Sequence, residues 1–285
     1  MIKIVKYFFE AIVIYLFFFI IKLIGLSISR LLFSFLFKKI GPIIRSKDII
    51  KNNLSIFSDQ ISESKKKEIE LSMWSNYGKT FVEYMFLKNF KNNNLHINIE
   101  GKEVLEEIIH KNKPVIFVSG HFANFELMSM EITKNKINLA TIYRPLNNFF
   151  INPLMEYLRK KYVCSNQIKK GRLGVKECIE YIKKNYSVAL MIDQRVSEGD
   201  RVNFFGKKAH TTSLPAQLSM KYNLDIIPIF IERDGNDAFK IDISKPLNTS
   251  IFKSKEELTL KLNQILEKMI LRNPNQWIWT HNRWK

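Results

Sequence analysis

The sequence predicts an α/β domain, a mixed and largely parallel sheet flanked by helices, preceded by an N-terminal hydrophobic membrane-anchor helix. Three observations carry this. Beyond residue 95, short apolar runs alternate with amphipathic stretches, as expected of strands buried on both faces and joined by helical crossovers. The first 45 residues contain an apolar segment of bilayer-scale length. The chain has 285 residues, 46% of them hydrophobic, enough for one large core plus an appendage.

The apolar segment runs from Tyr7 to Phe37 and is interrupted only by Glu10, Lys22 and Arg30, with Ala11 to Ile21 wholly uncharged. At about 1.5 Å per helical residue that uncharged core is too short for a roughly 30 Å hydrocarbon layer. Placing Glu10 and Lys22 near the two interfaces supplies the length, so the segment can span or lie partly in the interface. Lys3 and Lys6 resemble the start of a signal peptide, but no small-x-small cleavage pattern follows and the apolar character continues to Phe37. Lys38, Lys39, Arg45 and Lys47 then outnumber the preceding cations, which favours a cytoplasmic placement of the domain C-terminal to the segment. We set the anchor at 1–45 and the α/β domain at 46–285. Its first part, 46–94, reads as a helical lead-in, because Ile69, Met73, Tyr77, Phe81, Tyr84 and Met85 recur at helical steps.

Within the domain, "VIFVS" (115–119), "LATIY" (139–143), "VALMID" (188–193) and "IIPIFI" (226–231) read as buried strands. Helices are predicted near 124–135, 147–160, 171–184, 212–222 and 254–271.

The 45 Lys plus Arg against 27 Asp plus Glu give a formal charge of +18, which attracts nucleic acid, an anionic membrane, phosphorylated substrates or an acidic protein. The clustered Arg/aromatic motifs of nucleic-acid-binding modules are missing, so we expect no nucleic-acid partner. Cys164 and Cys178 are the only cysteines and no Cys/His group has zinc spacing, so neither a disulfide framework nor a metal is expected.

In open α/β sheets the chemistry gathers where strands end. His121 and Glu126, in "VSGHFANFELM", come after one predicted strand, Arg144 after the next, and Asp193 with Gln194 just after "VALMI" of the third. On one continuous helix, five residues would set His121 and Glu126 about 140° apart. With His121 in the turn before the helix, Glu126 can accept a hydrogen bond from one ring nitrogen, leaving the other free to take a proton from a hydroxyl. Such an arrangement supports general-base catalysis; the plainer reading is a capping His beside a solvated Glu. Ser119 lacks the Gly-x-Ser-x-Gly elbow of a covalent serine mechanism, which makes a substrate hydroxyl the simpler nucleophile.

"GHFANFE" resembles the His-x4-Asp/Glu signature of the glycerolipid acyltransferase superfamily. "YRPLNN" (143–148), "GRLGVKECI" (171–179), "DQRVSEGDRVNFFGKKAHTT" (193–212) and the terminal "WIWTHNRWK" (277–285) are similar, in this order, to blocks of the late acyltransferases of lipid A biosynthesis. The resemblance covers the whole chain and implies a glycerol-3-phosphate acyltransferase-like fold and an inner-membrane enzyme of lipopolysaccharide biosynthesis. Such an enzyme moves a fatty acyl chain from acyl carrier protein, or from coenzyme A, to a hydroxyl of a lipid A precursor, making an acyloxyacyl ester without a cofactor. Acyl carrier protein, the lipid A precursor and the anionic inner membrane are then the partners.

The resemblance makes His121 the general base and Glu126 its orienting partner. Arg144 would bind a phosphate of the lipid or of the donor's pantetheine arm. Arg172, Asp193 and Gln194 fall in further matching blocks and, with Asn124, complete the expected substrate-binding set, although Asp193 also suits a turn or cap and Asn124 also suits a brace for the turn. Phe122 stands where many members carry a small or charged residue. The aromatic tail suits either a membrane rim or simple docking. His96 and His110 read as structural, and His210 is left open. The runs "SKKKE" (64–68) and "FFGKKAH" (204–210) offer cations to anionic lipid or an acidic carrier protein. Two other readings stand beside this one: a membrane O-acyltransferase acting on a phospholipid or another glycolipid, and a membrane-tethered nucleic-acid-binding protein.

Overall fold

The computed structural model describes residues 2–44, 47–58, 60–196, 199–235 and 237–285. Arg45, together with the expected boundary at 45/46, and Ser197 and Glu198 of the third matching block lie outside the described residues.

The apolar N-terminus forms two helices rather than one, α1 (Ile2–Ile24) and α2 (Leu26–Ile44). Gly25 separates them with φ +81°, a left-handed conformation that glycine adopts without steric penalty. The rings of Phe17 and Phe33, equidistant from Gly25, meet edge-on at 5.3 Å, so the chain doubles back there. Of the described helices, α1 is the one long and apolar enough to cross a bilayer. It buries one narrow stripe, Ala11, Phe18 and Ile21, and leaves Phe9, Leu16 and Phe19 more than half exposed.

Helices α3 (Lys47–Phe57), α4 (Glu63–Glu83) and α5 (Leu87–Asn92) form the lead-in. Ser62 caps α4 by accepting from the Lys65 N–H. Ile69 and Met73 of the predicted periodic face are buried. Helix α2 packs tightly on α4 because Gly78 lacks a side chain: a Cβ there would come within 2.2 Å of the Phe33 carbonyl oxygen.

The domain then runs β1 (Ile97–Glu100), α6 (Lys102–Lys111), β2 (Ile116–Ser119), α7 (Glu126–Lys134), β3 (Leu139–Tyr143), α8 (Asn152–Leu158), β4 (Asn166–Lys169), α9 (Arg172–Lys183) and β5 (Ser187–Met191). It continues through β6 (Asp200–Phe204), β7 (Lys207–Thr211), α10 (Leu214–Tyr222), β8 (Ile226–Arg233), β9 (Phe239–Ile243) and α11 (Lys255–Arg272). Seven strands form one sheet in the order β1-β9-β8-β2-β5-β3-β4, and β6 and β7 form a separate hairpin. All sheet pairs are parallel except β8–β9. This is the expected mixed, largely parallel sheet. The four strands read from the sequence are its four consecutive central members, β8-β2-β5-β3. They are apolar because helices cover both faces.

Strand order fixes where chemistry can sit. Neighbouring β2, β5 and β3 are parallel, so their C-terminal ends open at one edge of the sheet. Ser119 pairs with Met191 across β2 and β5, and the same register carried two residues further sets His121 opposite Asp193.

Candidate active site

Beyond β2 the chain makes a tight turn before α7. Ala123 takes φ +42° inside it, so the turn depends on surrounding bonds. The Ala123 carbonyl accepts from Thr80 Oγ1 at 3.0 Å and from Asn76 Nδ2 at 3.4 Å, and its N–H donates to the Gln276 carbonyl at 3.3 Å. These bonds present the His121 ring, mostly buried, to a cavity of about 530 Å³.

The residue that holds His121 is Asp193. Its Oδ1 lies 2.7 Å from the ring Nδ1, and its Oδ2 accepts the His121 backbone N–H at 2.7 Å and the Trp277 indole N–H at 2.9 Å. A carboxylate can only accept, so Nδ1 carries the proton and Nε2 keeps its lone pair. Nε2 faces the cavity, where the Gln194 amide nitrogen stands 3.2 Å away. Burial opposes ionisation of Asp193, but the charge that the His121 ring carries in its imidazolium form, together with two hydrogen bonds from His121, outweighs it and holds the carboxyl well below the usual carboxylate range.

Glu126 does not make the contact expected of it. It lines the cavity at the first turn of α7, where its Oε1 accepts from Arg159 Nε at 2.7 Å and from the Tyr84 hydroxyl at 2.6 Å. Arg159 also reaches the Tyr84 oxygen at 3.0 Å. The reason is positional. Glu126 opens α7 and points along the helix toward α4 and the turn after α8, whereas the parallel register has already set a carboxylate beside His121. Burial works against the Arg159 charge, but Glu126 and Tyr84 overcome it and raise its pKa; burial pushes the Tyr84 hydroxyl up. This closed ion pair forms a charged but neutralised spot in the cavity wall.

The other expected residues divide. Arg144, exposed at the end of β3, lines the cavity mouth and bonds Asn147 Oδ1 at 3.4 Å. Lys170 lines the same mouth, and burial and then Arg144 lower its pKa. Gln194 lines the cavity as well. Asn124 does not: it is buried, and its Nδ2 donates to Glu83 Oε2 at 2.9 Å, so the substrate-binding position expected for it gives way to bracing of the turn. Asp193 is likewise occupied by His121 and Trp277 rather than offered to a substrate. Arg172 lies exposed at the start of α9, outside the cavity lining.

The tail is docked. Trp277, Trp279 and Arg283 are buried, Phe122 forms an isolated bridge with Trp277, and Asn53 Nδ2 donates to the carbonyls of Trp279 and His281 at 2.8 Å each. Burial pulls the Arg283 guanidinium down to about 10. It lies 3.9 Å over the Phe204 ring and donates to Asn263 Oδ1. His281 lines the cavity with its ring 6.3 Å from that of His121. Sequence reasoning missed the roles of Tyr84, Arg159, Trp277 and Gln276. The aromatic density of the tail pointed toward Trp277 and toward none of the other three.

The far wall is hydrocarbon: Ile14 and Phe18 of α1, Phe81 of α4, and Ile151 and Met155 from the segment before and within α8. The cavity therefore joins a polar mouth carrying two cations to an apolar chamber closed by the N-terminal helix.

Residues 2–285 match the family model described as bacterial lipid A biosynthesis acyltransferase. The chain is similar to the lipid A biosynthesis palmitoleoyltransferase of Escherichia coli (strain K12), 24% identical over 248 residues that cover 85% of this chain and 79% of that protein. With "Lipid A biosynthesis acyltransferase 2" of Shigella flexneri it is 23% identical over 184 residues, 63% of this chain and 58% of that protein, so the match spans less than two thirds of that relative. Among solved structures, the 1-acyl-sn-glycerophosphate (LPA) acyltransferase PlsC of Thermotoga maritima aligns with a TM-score of 0.42 at 15% identity, covering 89% of this chain and 100% of that one.

Proposed function

The chain belongs to the bacterial lipid A biosynthesis acyltransferases, and from that premise we propose that it moves a fatty acyl chain from an acyl carrier protein thioester to a hydroxyl of a lipid A precursor, with His121 as general base. One observation carries the assignment: Nδ1 of His121 is tied to a buried, ionised Asp193 while Nε2 faces a cavity that is apolar at one end and cationic at the other.

In this reading the acceptor hydroxyl displaces Gln194 from Nε2 and gives up its proton there as its oxygen attacks the thioester carbonyl. A C–O bond forms and the C–S bond breaks. The imidazolium, stabilised by Asp193, returns the proton to the departing thiolate. Asp193 is thus a positioning residue. Glu126 contributes by neutralising Arg159 and shaping the wall that the hydrocarbon passes. Arg144, with Lys170 beside it, binds a phosphate of the precursor or of the donor arm. No cofactor takes part.

The site belongs on the cytoplasmic face of the inner membrane. Contacts from Tyr7 to Lys22 hold one side of α1 on the domain, and its other side offers exposed Phe and Leu to lipid. An acyl chain in the membrane would then lie against the helix that closes the chamber.

The test is to incubate the purified protein with a panel of acyl carrier protein thioesters and a tetra-acylated, sugar-capped lipid A precursor and to read the product mass. One added acyl group on the precursor supports the proposal. Acylation of phospholipid alone would reassign the acceptor.

A further inference from the structure

Glu83 is fully buried at the end of α4 and does not line the cavity. Both of its oxygens are saturated. Oε1 accepts from Arg30 Nε at 2.7 Å and from Arg233 Nη1 at 2.5 Å, while Oε2 accepts from Arg233 Nη2 at 3.1 Å and from Asn124 Nδ2 at 2.9 Å. Asn124 sits between His121 and Glu126 in the turn itself.

The bonds around Glu83 close into a ring. Arg233 exchanges two bonds with the Gln276 side chain, backbone N–H to Oε1 at 2.7 Å and Nε2 to the backbone carbonyl at 2.8 Å. The Gln276 carbonyl accepts from Ala123 N–H, and Asn124 returns to Glu83. Asn76 and Thr80 hold the Ala123 carbonyl from the same face of α4, at helical spacing from Glu83. The side chains that fix the strained Ala123–Asn124 step therefore come from α4, the Ala123 N–H is held by the Gln276 carbonyl, and the Leu127 N–H of α7 closes the turn on the Asn124 carbonyl. Arg30 brings α2, one of the two apolar N-terminal helices, into the same node.

We propose that Glu83 is a positioning residue for the His121 turn, and that through Arg30 it makes the seating of α2 on the domain a condition for the active geometry of that turn. The inference rests on His121 acting as the base. The requirement for a carboxylate is stereochemical. Four donors converge on two oxygens, and a Gln in this place would offer one acceptor and turn an NH₂ group toward donors. Two guanidiniums would also lose their shared counter-charge in a buried place; Asp237 lies 3.9 Å from Arg233, farther than either Glu83 oxygen.

The experiment compares E83Q, N124A and a control, L105A, which opens the core in α6 away from the site. Steady-state acyl transfer is measured in vesicles well below each variant's unfolding temperature, across pH. E83Q and N124A are expected to lower kcat by ~10 to 100-fold, the size of effect that misplacing a reacting group produces, with KM for both substrates within about two-fold of wild type. The acidic limb of their pH profile should move as His121 loosens from Asp193. L105A should melt earlier with kcat and pH profile unchanged. N124A leaves the ion cluster whole, so it decides the matter if E83Q does not fold: wild-type kcat and pH profile in N124A overturn the inference. H121A separates the two levels. An inactive H121A beside a fully active N124A defeats the role of Glu83 alone, whereas wild-type kcat in H121A defeats the base and this inference together.

Discussion

Asp193 accepts two hydrogen bonds from His121, from the ring Nδ1 and from the backbone N–H, each at 2.7 Å. The two residues are 72 positions apart and meet because β2 and β5 are adjacent, parallel and in the register that sets Ser119 against Met191. A fully buried carboxylate with three donors fixes the tautomer and stabilises the imidazolium that catalysis would create.

Trp277 supplies the third of those donors. W277F removes it while keeping an aromatic ring against Trp279 and Phe204. We expect kcat to fall roughly ten-fold, equivalent to about 1.4 kcal/mol of transition-state stabilisation, and the acidic limb of the pH profile to move up because Asp193 loses a bond to its ionised form. A pH series of kcat checks both.

Glu126 and Arg159 form a largely buried pair, so removing one charge strands the other. E126Q should lose roughly 3 to 5 kcal/mol of stability, and adding R159M should recover most of that loss. Thermal unfolding in detergent across the double-mutant cycle measures the coupling. Additive losses would show that the pair is not coupled.

His96 links stability to pH. Burial, then Lys134 and Arg30, pull its pKa down to about 4 from 6.5. Between those values the unfolded chain binds the extra proton, so stability falls as pH drops from about 6.5 toward about 4 and levels off below. Replacement by Phe, compatible with neighbouring Phe90 and Phe239, should flatten that part of the stability profile.

The exposed face of α1 predicts lipid contact. Phe9 and Phe19 are 62% and 61% exposed. Changing both to Ser removes about 3 kcal/mol or more of apolar burial, at roughly 1.5 to 3 kcal/mol for each large side chain. Vesicle flotation should then show partitioning weakened by about two orders of magnitude, with the circular dichroism spectrum unchanged.

The buried middle of the fold was legible because β2, β3, β5 and β8 have helices on both faces and so read as continuous apolar runs. The edges were not. In β1 every second residue is exposed, and β4 and the β6–β7 hairpin carry Asn, Gln and Lys, so no buried stripe marks them. The break at Gly25 was hidden because one small residue interrupts neither hydropathy nor helical spacing. In the site, loops after three strands were correctly read as neighbours. Asp193 as the partner of His121 required knowing that β2 adjoins β5, a fact of sheet order that local spacing does not contain. Sequence distance favoured Glu126 instead. Arg159 arrives from a helix end that carries no motif, and Trp277 from the docked tail, where the block 277–285 marks the position but not its bond to Asp193.

The most direct measurement is kcat for D193N beside wild type and E126Q in the acyl-transfer assay. With Asp193 holding the base, D193N should lose ~10² to 10⁴-fold in kcat, the range general-base assistance supplies, at nearly unchanged KM and with the fold intact by circular dichroism. Wild-type kcat in D193N, with activity abolished in E126Q, would contradict the assignment of Asp193 as the residue that orients His121.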